Sequence, residues 1–378
     1  MSPTSLAGDD FTAQWTALCR RAAPNVFMSP AALQAVQGVD FARVKVLPAW
    51  LDGKASGRLI GLWALQQSSL TPIGPAFLSA PPYNYAFLSN PVLDPEYMDV
   101  AMNMILDSIE LDDRLPKVMR LRYLDADSPS YAALTRALRG RGAKILQVSR
   151  HERPVITKEG GLLNASHSTH KKLRQKWRRL TAMGAVEVLN DSSQSAVLEA
   201  FEVFLEMEHA SWKGSAGTSL LSEARDAAFA RRLIRELSQD ASASVALLTL
   251  DRRPIAAQVL LQCGSMAYTW KTAFDADFAA VSPGALLVDK ITEQLFDSGT
   301  TESIESCSPE GSFMNQLWHE RCFTVELVIH LGSRKSIDYT AVVIGALSHT
   351  RLREIRGKLR EKLLSILKGR VGSDTSNR

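Results

Sequence analysis

The chain has 378 residues, of which 46% are hydrophobic and 22% are charged, and its net charge is +4. A mean hydropathy near zero and the absence of an apolar run of about 18 residues argue against a membrane-spanning protein. Cys19, Cys263, Cys307 and Cys322 form no Cys-x-x-Cys pair, which argues against a structural zinc site and fits a reducing cytoplasm. We expect no signal peptide, because residues 1–10 lack a basic region followed by an apolar one.

The first half of the sequence alternates between helix and strand patterns. The predicted elements are helices over 11–19 and 29–37, strands over 44–50 and 59–66, a loop over 72–82, a strand over 83–90, a helix over 95–109, a strand over 118–124, a helix over 130–139 and a strand or hairpin within 144–156.

A similar order of elements returns in the second half, without residue-level identity to the first. The predicted elements are helices over 195–209 and 226–237, strands over 244–250, 255–262 and 266–272, a helix over 285–296, a strand over 303–306, a helix over 313–319 and a strand over 323–331.

Two basic segments flank this second half. Residues 171–179 carry six basic residues and no acidic one, in a helix predicted over 168–181. Residues 351–370 carry eight basic and two acidic residues, in a long helix predicted over 341–367. The first segment could meet RNA, the 3′-phosphate of CoA or an anionic membrane, and a solvated inter-domain face explains it as well. The C-terminal helix could lie on a bilayer or pack on its own domains.

Residues 266–296 are the most informative stretch. A strand leads through a loop to Ser282-Pro283-Gly284, which opens a helix with apolar residues at three- and four-residue spacing. Ser282 is a good N-cap, and Pro283 suits the first helical position. Free amides at the positive end of a helix bind phosphate, and Gly284 would let a pyrophosphate approach closely. An ordinary capped strand-to-helix connection remains the alternative interpretation.

A series of motifs keeps its order over the second half. They are Trp212-Lys213-Gly214 with Gly217, Phe229 with Arg231, Asp251-x-x-Pro254-Ile255-Ala256, Tyr268-x-Trp270-Lys271-x-Ala273-Phe274-Asp275, Phe278, Ser282-Pro283-Gly284 and Trp318. With the order of elements, these motifs resemble the GNAT acyltransferase fold and its bacterial CelD-like branch of acetyltransferases, associated with cellulose and exopolysaccharide biosynthesis. The chain departs from that branch at Glu305, where members often have Asp. It also has Asn315 or Gln316 where they commonly have Lys, a departure that leaves the identity of its acceptor open.

The resemblance implies an α/β fold of two tandem GNAT-like domains, with mixed sheets flanked by helices, a basic inter-domain helix and a C-terminal helix. We expect a degenerate domain over 1–160, a basic helical linker over 161–190, a catalytic domain over 191–335 and a C-terminal helix and tail over 336–378. The first half has Asn90-Pro91-Val92-Leu93-Asp94-Pro95 in place of the Ser-Pro-Gly turn.

The resemblance also implies an acyl-CoA co-substrate, such as acetyl-CoA, whose thioester an amine or hydroxyl attacks directly with the help of a base. Ser282, Pro283, Gly284 and Ala285 would hold the CoA pyrophosphate. Glu305 is the first candidate for the base and Asp275 the second, while Tyr268 could return a proton to the thiolate. A salt bridge, a loop cap and a half-buried strand position are the structural explanations for these three residues.

The dipeptide Trp-Lys occurs twice in the second half, as Trp212-Lys213 and Trp270-Lys271. Indole faces stack on sugar rings and lysines bind anionic groups, so these four residues form a candidate substrate site. Core packing explains each tryptophan alone equally well. His209 is interpreted as a surface residue, and His167-x-x-His170 lacks further ligands at metal spacing, so we expect no metal.

The predicted activity is acyl transfer from acyl-CoA to a small-molecule or saccharide acceptor, with peripheral contact to a membrane or polysaccharide synthase left open. Nucleic acid is not the expected partner. One alternative is a Fem-type peptidyltransferase, since these enzymes also pair two GNAT domains and use aminoacyl-tRNA. The other is a non-catalytic polysaccharide-binding or scaffold protein.

Overall fold

The first half of the chain forms six strands and four helices in the computed structural model, which describes residues 9–51, 57–72, 74–163, 167–332 and 336–352. The helices are α1 (Asp9–Arg21), α2 (Pro30–Gly38), α3 (Met98–Leu111) and α4 (Pro129–Gly140). The strands are β1 (Val44–Trp50), β2 (Leu59–Ser69), β3 (Ala76–Ala80), β4 (Val92–Leu93), β5 (Val118–Asp125) and β6 (Lys144–Thr157).

The second half adds six further strands. Its helices are α5 (Lys158–Leu163), α6 (His167–Thr181), α7 (Gln194–Ala210), α8 (Trp212–Ser215), α9 (Ala224–Gln239), α10 (Pro283–Asp297), α11 (Met314–Leu317) and α12 over 337–352. Its strands are β7 (Val186–Leu189), β8 (Ala243–Leu250), β9 (Arg253–Cys263), β10 (Met266–Phe274), β11 (Ser303–Glu305) and β12 (Glu320–His330).

All twelve strands belong to one mixed sheet. The last strand of each half, β6 or β12, pairs with strands of the other half. The order is β1-β2-β3-β5-β12-β6-β11-β10-β9-β8-β7, with β4 paired to β2. Strand β12 lies between β5 and β6, antiparallel to both, and β6 continues onto β11. The expected mixed α/β architecture is confirmed, and the expected two sheets join into one.

Helix α10 shows how the local sequence determines the packing. Pro283 occupies its first turn, and Leu287, Ile291 and Leu295 lie on one buried face, as their spacing predicts. Helix α6 packs Leu173 and Leu180 into the same hydrophobic cluster as α10. The charged face of α6 stays outside this cluster. Because the apolar face packs with α10, the basic face lies next to the beginning of α10.

Aromatic side chains join the two halves on the other side of the sheet. Phe41 from the first half stacks on Phe229 of α9, with ring centroids 4.2 Å apart and an interplanar angle of 9°. Tyr85 stacks on the same Phe229 ring, and the indole of Trp270 donates a hydrogen bond of 2.9 Å to the Tyr85 carbonyl. The halves therefore share a core, and a first-half loop reaches strand β10.

The predicted strand over 83–90 is wrong, and so is the predicted loop over 72–82. Residues 83–90 form an irregular segment, whereas Ala76–Ala80 forms β3 and pairs in parallel with β5. The aromatic residues of the segment serve as anchors: Tyr83 is 2% exposed and its hydroxyl donates to the Phe27 carbonyl at 3.0 Å. Strand β7 was not predicted, and the C-terminal helix predicted over 341–367 lies outside the described residues beyond 352.

Among the described residues, no helix is both long enough and apolar enough to cross a bilayer.

Candidate active site

Strands β10 and β11 separate partway along their length. They pair in parallel from Met266 to Tyr268 and from Ser303 to Glu305. Beyond these residues β10 continues along β9, with a bulge between Thr269 and Lys271, whereas the segment that follows β11 no longer pairs with β10. The hydroxyl of Thr269 donates to the Ser306 carbonyl at 3.0 Å, where the separation begins. The result is an opening in the sheet bordered by the backbone of β10.

A cleft of about 660 Å³ occupies this opening. It is lined by seven of the predicted site residues, namely Ser282, Gly284, Ala285, Trp212, Lys213, Trp270 and Lys271. Phe87 from the first half and Cys307 and Ser308 after β11 complete the wall near the separation of the strands. The structure therefore brings the four predicted substrate residues together with three of the four predicted cofactor residues, and Pro283 does not line the cleft.

The turn that begins α10 forms one end of the cleft. Asp275 caps a short 3₁₀ helix, Ala276–Val281, by accepting a hydrogen bond from the amide of Asp277. Ser282 follows in the left-handed conformation, with φ 53° and ψ 59°, and its side chain does not cap the helix as predicted. Left-handed backbone costs a non-glycine residue about 1–2 kcal/mol, so the surrounding structure must hold this turn in place.

Gly284 is buried at this helix end and lines the cleft. Because Pro283 has no amide hydrogen, Gly284 supplies the first backbone donor of α10. A Cβ atom at Gly284 would meet Thr272 at 3.5 Å and Phe274 at 3.6 Å, which are ordinary contacts. The helix dipole adds positive potential at the same place, so the turn suits a phosphate group.

Helix α6 forms a basic wall beside this turn. Lys172 and Lys176 line the cleft, and Lys176 Nζ donates to Ser282 Oγ at 2.6 Å. None of the described lining residues of the cleft is acidic. A polyanion such as CoA therefore fits its charge. A second cavity of about 420 Å³, near the end of α10, is lined by four acidic residues, Asp289, Glu293, Asp297 and Glu320, against one lysine, Lys158, so its net negative charge disfavours phosphate.

A buried carboxylate holds the two predicted substrate lysines. Glu208 of α7 is 0% exposed, and its Oε1 accepts from Lys213 Nζ at 3.0 Å and from Lys271 Nζ at 3.2 Å. Its Oε2 accepts from the Leu220 amide at 2.9 Å. Burial raises the pKa of Glu208, but the two lysines and the Leu220 amide outweigh burial, and the net shift is downward. The carboxylate therefore stays ionised inside the fold.

Glu208 was missed by the sequence prediction, although one signal was present. Phe201, Phe204 and Leu205 are buried on α7, and Glu208 follows them at helical spacing on the same face. A carboxylate on the apolar face of a helix requires a partner, and here the partners are Lys213 and Lys271.

The three predicted catalytic residues do not line the cleft. Glu305 is 5% exposed and pairs with Arg153 of β6, with 3.0 Å between Oε1 and Nη1. Tyr268 is fully buried, its hydroxyl donates to the Pro24 carbonyl at 3.0 Å, and burial raises its pKa well above the ordinary value. Asp275 pairs with Arg253 at 2.6 Å in addition to capping its turn. Each carboxyl or hydroxyl group thus has a structural partner.

The remaining candidates have local roles. His209 lies 2.9 Å from the hydroxyl of Ser219, measured from Nδ1 to Oγ. The side chains of His167 and His170 lie outside the described part of the structure. No cluster of three metal-ligating side chains occurs among the described residues. Cys307 lies in the cleft wall, where burial raises the pKa of its thiol well above the ordinary value and keeps it protonated.

Comparison with known proteins supports the fold. Residues 167–305 match the family model described as an acetyltransferase (GNAT) domain. No curated protein matches the sequence. FemX has a TM-score of 0.57 at 10% identity, and the match covers 85% of this chain and 94% of FemX.

Two further solved structures show the same similarity. A conserved protein of unknown function from Bacteroides thetaiotaomicron has a TM-score of 0.55 at 11% identity, covering 87% of this chain and 98% of that one. L-PGS from Bacillus licheniformis has a TM-score of 0.53 at 10% identity, covering 89% and 96%. The family match supports the GNAT superfamily for residues 167–305, and the structural matches show the fold alone.

Proposed function

We propose that this protein transfers an acyl group, such as acetyl, from acyl-CoA to an amine or hydroxyl acceptor in the cleft between β10 and β11. The main support is the coincidence of three features in that cleft. The strands separate, the positive end of α10 opens into the space, and Lys172 and Lys176 line it without an acidic neighbour among the described lining residues.

The proposed roles follow from this arrangement. The turn from Ser282 to Ala285 binds the CoA phosphates together with Lys172 and Lys176, and the Gly284 amide is its donor, because the amides of Ser282 and Ala285 already donate to backbone carbonyls. The edge of β10 beyond Tyr268, which no longer pairs with β11, orients the pantetheine arm. Glu305, Asp275 and Tyr268 have structural partners outside the cleft, so we do not give them the reaction's proton transfers.

The acceptor side is formed by α8 and by the loop from the first half. Trp212 is 61% exposed at the cleft, and an indole at such a position offers a stacking surface for a sugar ring. We therefore propose a saccharide or other polar small molecule as acceptor. A role in exopolysaccharide or cellulose biosynthesis, and peripheral contact with a membrane or synthase, rest on the CelD-like motifs alone.

A Fem-type transfer from aminoacyl-tRNA is the second candidate. The similarity to FemX supports it, as does the exposed basic face of α6, which includes Lys171, Arg178 and Arg179. This reaction would not require the turn at Ser282 to bind a diphosphate.

Thiol release from acetyl-CoA separates the two candidates. The assay is run with amino sugars, neutral sugars and simple amines as acceptors, and calorimetry measures the binding of acetyl-CoA in parallel. Saturable binding and acceptor-dependent thiol release support the proposal. Binding of tRNA without binding of acetyl-CoA contradicts it and supports the second candidate.

A further inference from the structure

Two lysines share a single carboxylate oxygen at the cleft. Lys213 and Lys271 both contact Glu208 Oε1, and their side chains are 25% and 13% exposed. The other carboxylate oxygen is used by the Leu220 amide. The Glu208 carboxylate balances one ammonium group, so with both lysines protonated the second has only the longer-range attraction of Asp226 to compensate it in a largely buried place. Loss of one proton relieves this excess charge.

Lys271 is the lysine whose surroundings favour the neutral amine. It is the more buried of the two, and its Nζ lies 5.0 Å from the centre of the Tyr85 ring. Four charged or titratable groups face it: Glu208 from α7, Lys213 from α8, Asp226 from α9 and the Tyr85 phenol, which donates to Asp226. Burial and Lys213 lower the pKa of Lys271, Glu208 and Asp226 raise it, and the net shift is downward.

The position of Lys271 matches the path of the thioester. It follows the bulge of β10, just beyond Tyr268, the last residue of β10 that pairs with β11. It lies on the strand between this separation and the turn at Ser282, so a molecule held by the turn and threaded along β10 passes beside it. Its Nζ is held by Glu208 on the face of the sheet that carries α7 and α8.

We propose that Lys271 is the general base of the acyl transfer and that Glu208 and Lys213 are its positioning residues. This inference rests on the proposed acyl-CoA reaction in the same cleft. The neutral Nζ accepts the proton of the acceptor's N–H or O–H group while the acceptor heteroatom bonds to the acyl carbon. The carbon–sulfur bond then breaks, and the proton passes from the Lys271 ammonium to the leaving thiolate. The products are the acylated acceptor and free CoA thiol.

The protonation of Lys271 is measured first, by a method that needs no acceptor. Dilute acetic anhydride labels neutral amines, and mass spectrometry of the peptides compares Lys271 with the exposed Lys171 over a pH series. We expect Lys271 to become reactive at lower pH than Lys171. Glu208→Gln removes a stabilising anion and moves the Lys271 profile to still lower pH, whereas Lys213→Met removes a repelling cation and moves it to higher pH. The proposal is overturned if Lys271 and Lys171 become reactive over the same pH range. It is also overturned if the two substitutions do not shift the pH profile of Lys271 labelling in these opposite directions.

Turnover then separates a base from a simple cation. Thiol release from acetyl-CoA is followed with water or D-glucosamine as acceptor, in wild type, Lys271→Met and Lys271→Arg. Arg keeps the charge but cannot give up its proton, so both variants should lose about 10²-fold in rate. Acetyl-CoA affinity by calorimetry should change little. Near wild-type turnover in Lys271→Arg overturns the role as base and indicates a cation that binds an anionic group.

The acyl-CoA reaction and the role of Lys271 as its base are contradicted by different results. If the wild-type protein does not bind acetyl-CoA, the proposed function fails, whatever the labelling of Lys271 shows. If acetyl-CoA binds and is turned over but Lys271→Arg is active, only the base is wrong. Thermal melting checks that Glu208→Gln folds, and Lys213→Met, at a more exposed site, provides the second arm if it does not.

Discussion

The ion pair between Arg153 and Glu305 gives the sharpest prediction about stability, because it lies where the two halves of the sheet join. The two side chains are 5% and 7% exposed, and Arg153 Nη1 also donates to the Phe87 carbonyl. The guanidinium carbon lies 4.7 Å from the centre of the Tyr123 ring. Arg153→Met keeps most of the packing volume and removes the positive charge, so Glu305 is left as a buried carboxylate without its cation.

Removal of one member of a buried ion pair costs about 3–5 kcal/mol, and burial this deep leaves little solvent screening to reduce the loss. Arg231→Met is the matched control, because Arg231 and Glu202 form a pair with side chains that are 42% and 49% exposed. An exposed pair contributes about 0–1 kcal/mol. The double variant Arg153→Met with Glu305→Gln should recover most of the loss, since it removes both charges.

Urea unfolding followed by circular dichroism measures these differences in the free energy of unfolding. A cost for Arg153→Met no larger than that for Arg231→Met would refute the buried pair. The double variant also tests the predicted catalytic role of Glu305. We expect its turnover with acetyl-CoA to stay within about tenfold of wild type, whereas loss of a catalytic base lowers the rate by about 10²–10⁴-fold.

Three further predictions concern the cleft. Lys176→Met should weaken acetyl-CoA binding by about 1 kcal/mol more than Lys171→Met, and added salt should reduce the difference in calorimetry. Trp212→Ala should change the free energy of unfolding by less than about 0.5 kcal/mol, because the side chain is exposed, yet raise the KM for a saccharide acceptor. The lowered pKa of Glu208 stabilises the fold above the unfolded value of 4.5, and this contribution is lost as the pH falls through the folded pKa. Glu208→Gln should therefore flatten the acid limb of stability against pH, and an unchanged slope in acid titration would contradict the ion cluster.

The features that were predicted from sequence depend on local patterns. Helix α10 has a proline at its start and apolar residues at regular spacing, so its position and buried face follow from a short stretch. The Trp-Lys dipeptides and the Ser-Pro-Gly turn are also local, and the structure places them around one cleft.

The features that were missed depend on contacts between distant residues. Strand β12 pairs with β5 and β6, and no periodicity within β12 specifies those partners. Glu305 has the composition of a catalytic candidate, but its partner Arg153 lies 152 positions away. The segment after Pro82 was misassigned because aromatic residues favour strands, whereas here they fill a core shared by both halves.

Calorimetry with acetyl-CoA on wild type and Gly284→Val tests the central claim most directly. A Cβ at Gly284 makes only ordinary contacts, with Thr272 and Phe274, and the side chain of the variant would occupy the phosphate turn. Thermal melting checks that the valine variant folds. Gly140→Val is the control, because a Cβ there meets no atom within 4 Å. We expect saturable binding in wild type and in Gly140→Val, and a Kd raised by at least about tenfold, or about 1.4 kcal/mol, in Gly284→Val. Equal affinity in all three proteins, or no binding by wild type, would contradict a CoA site at the start of α10.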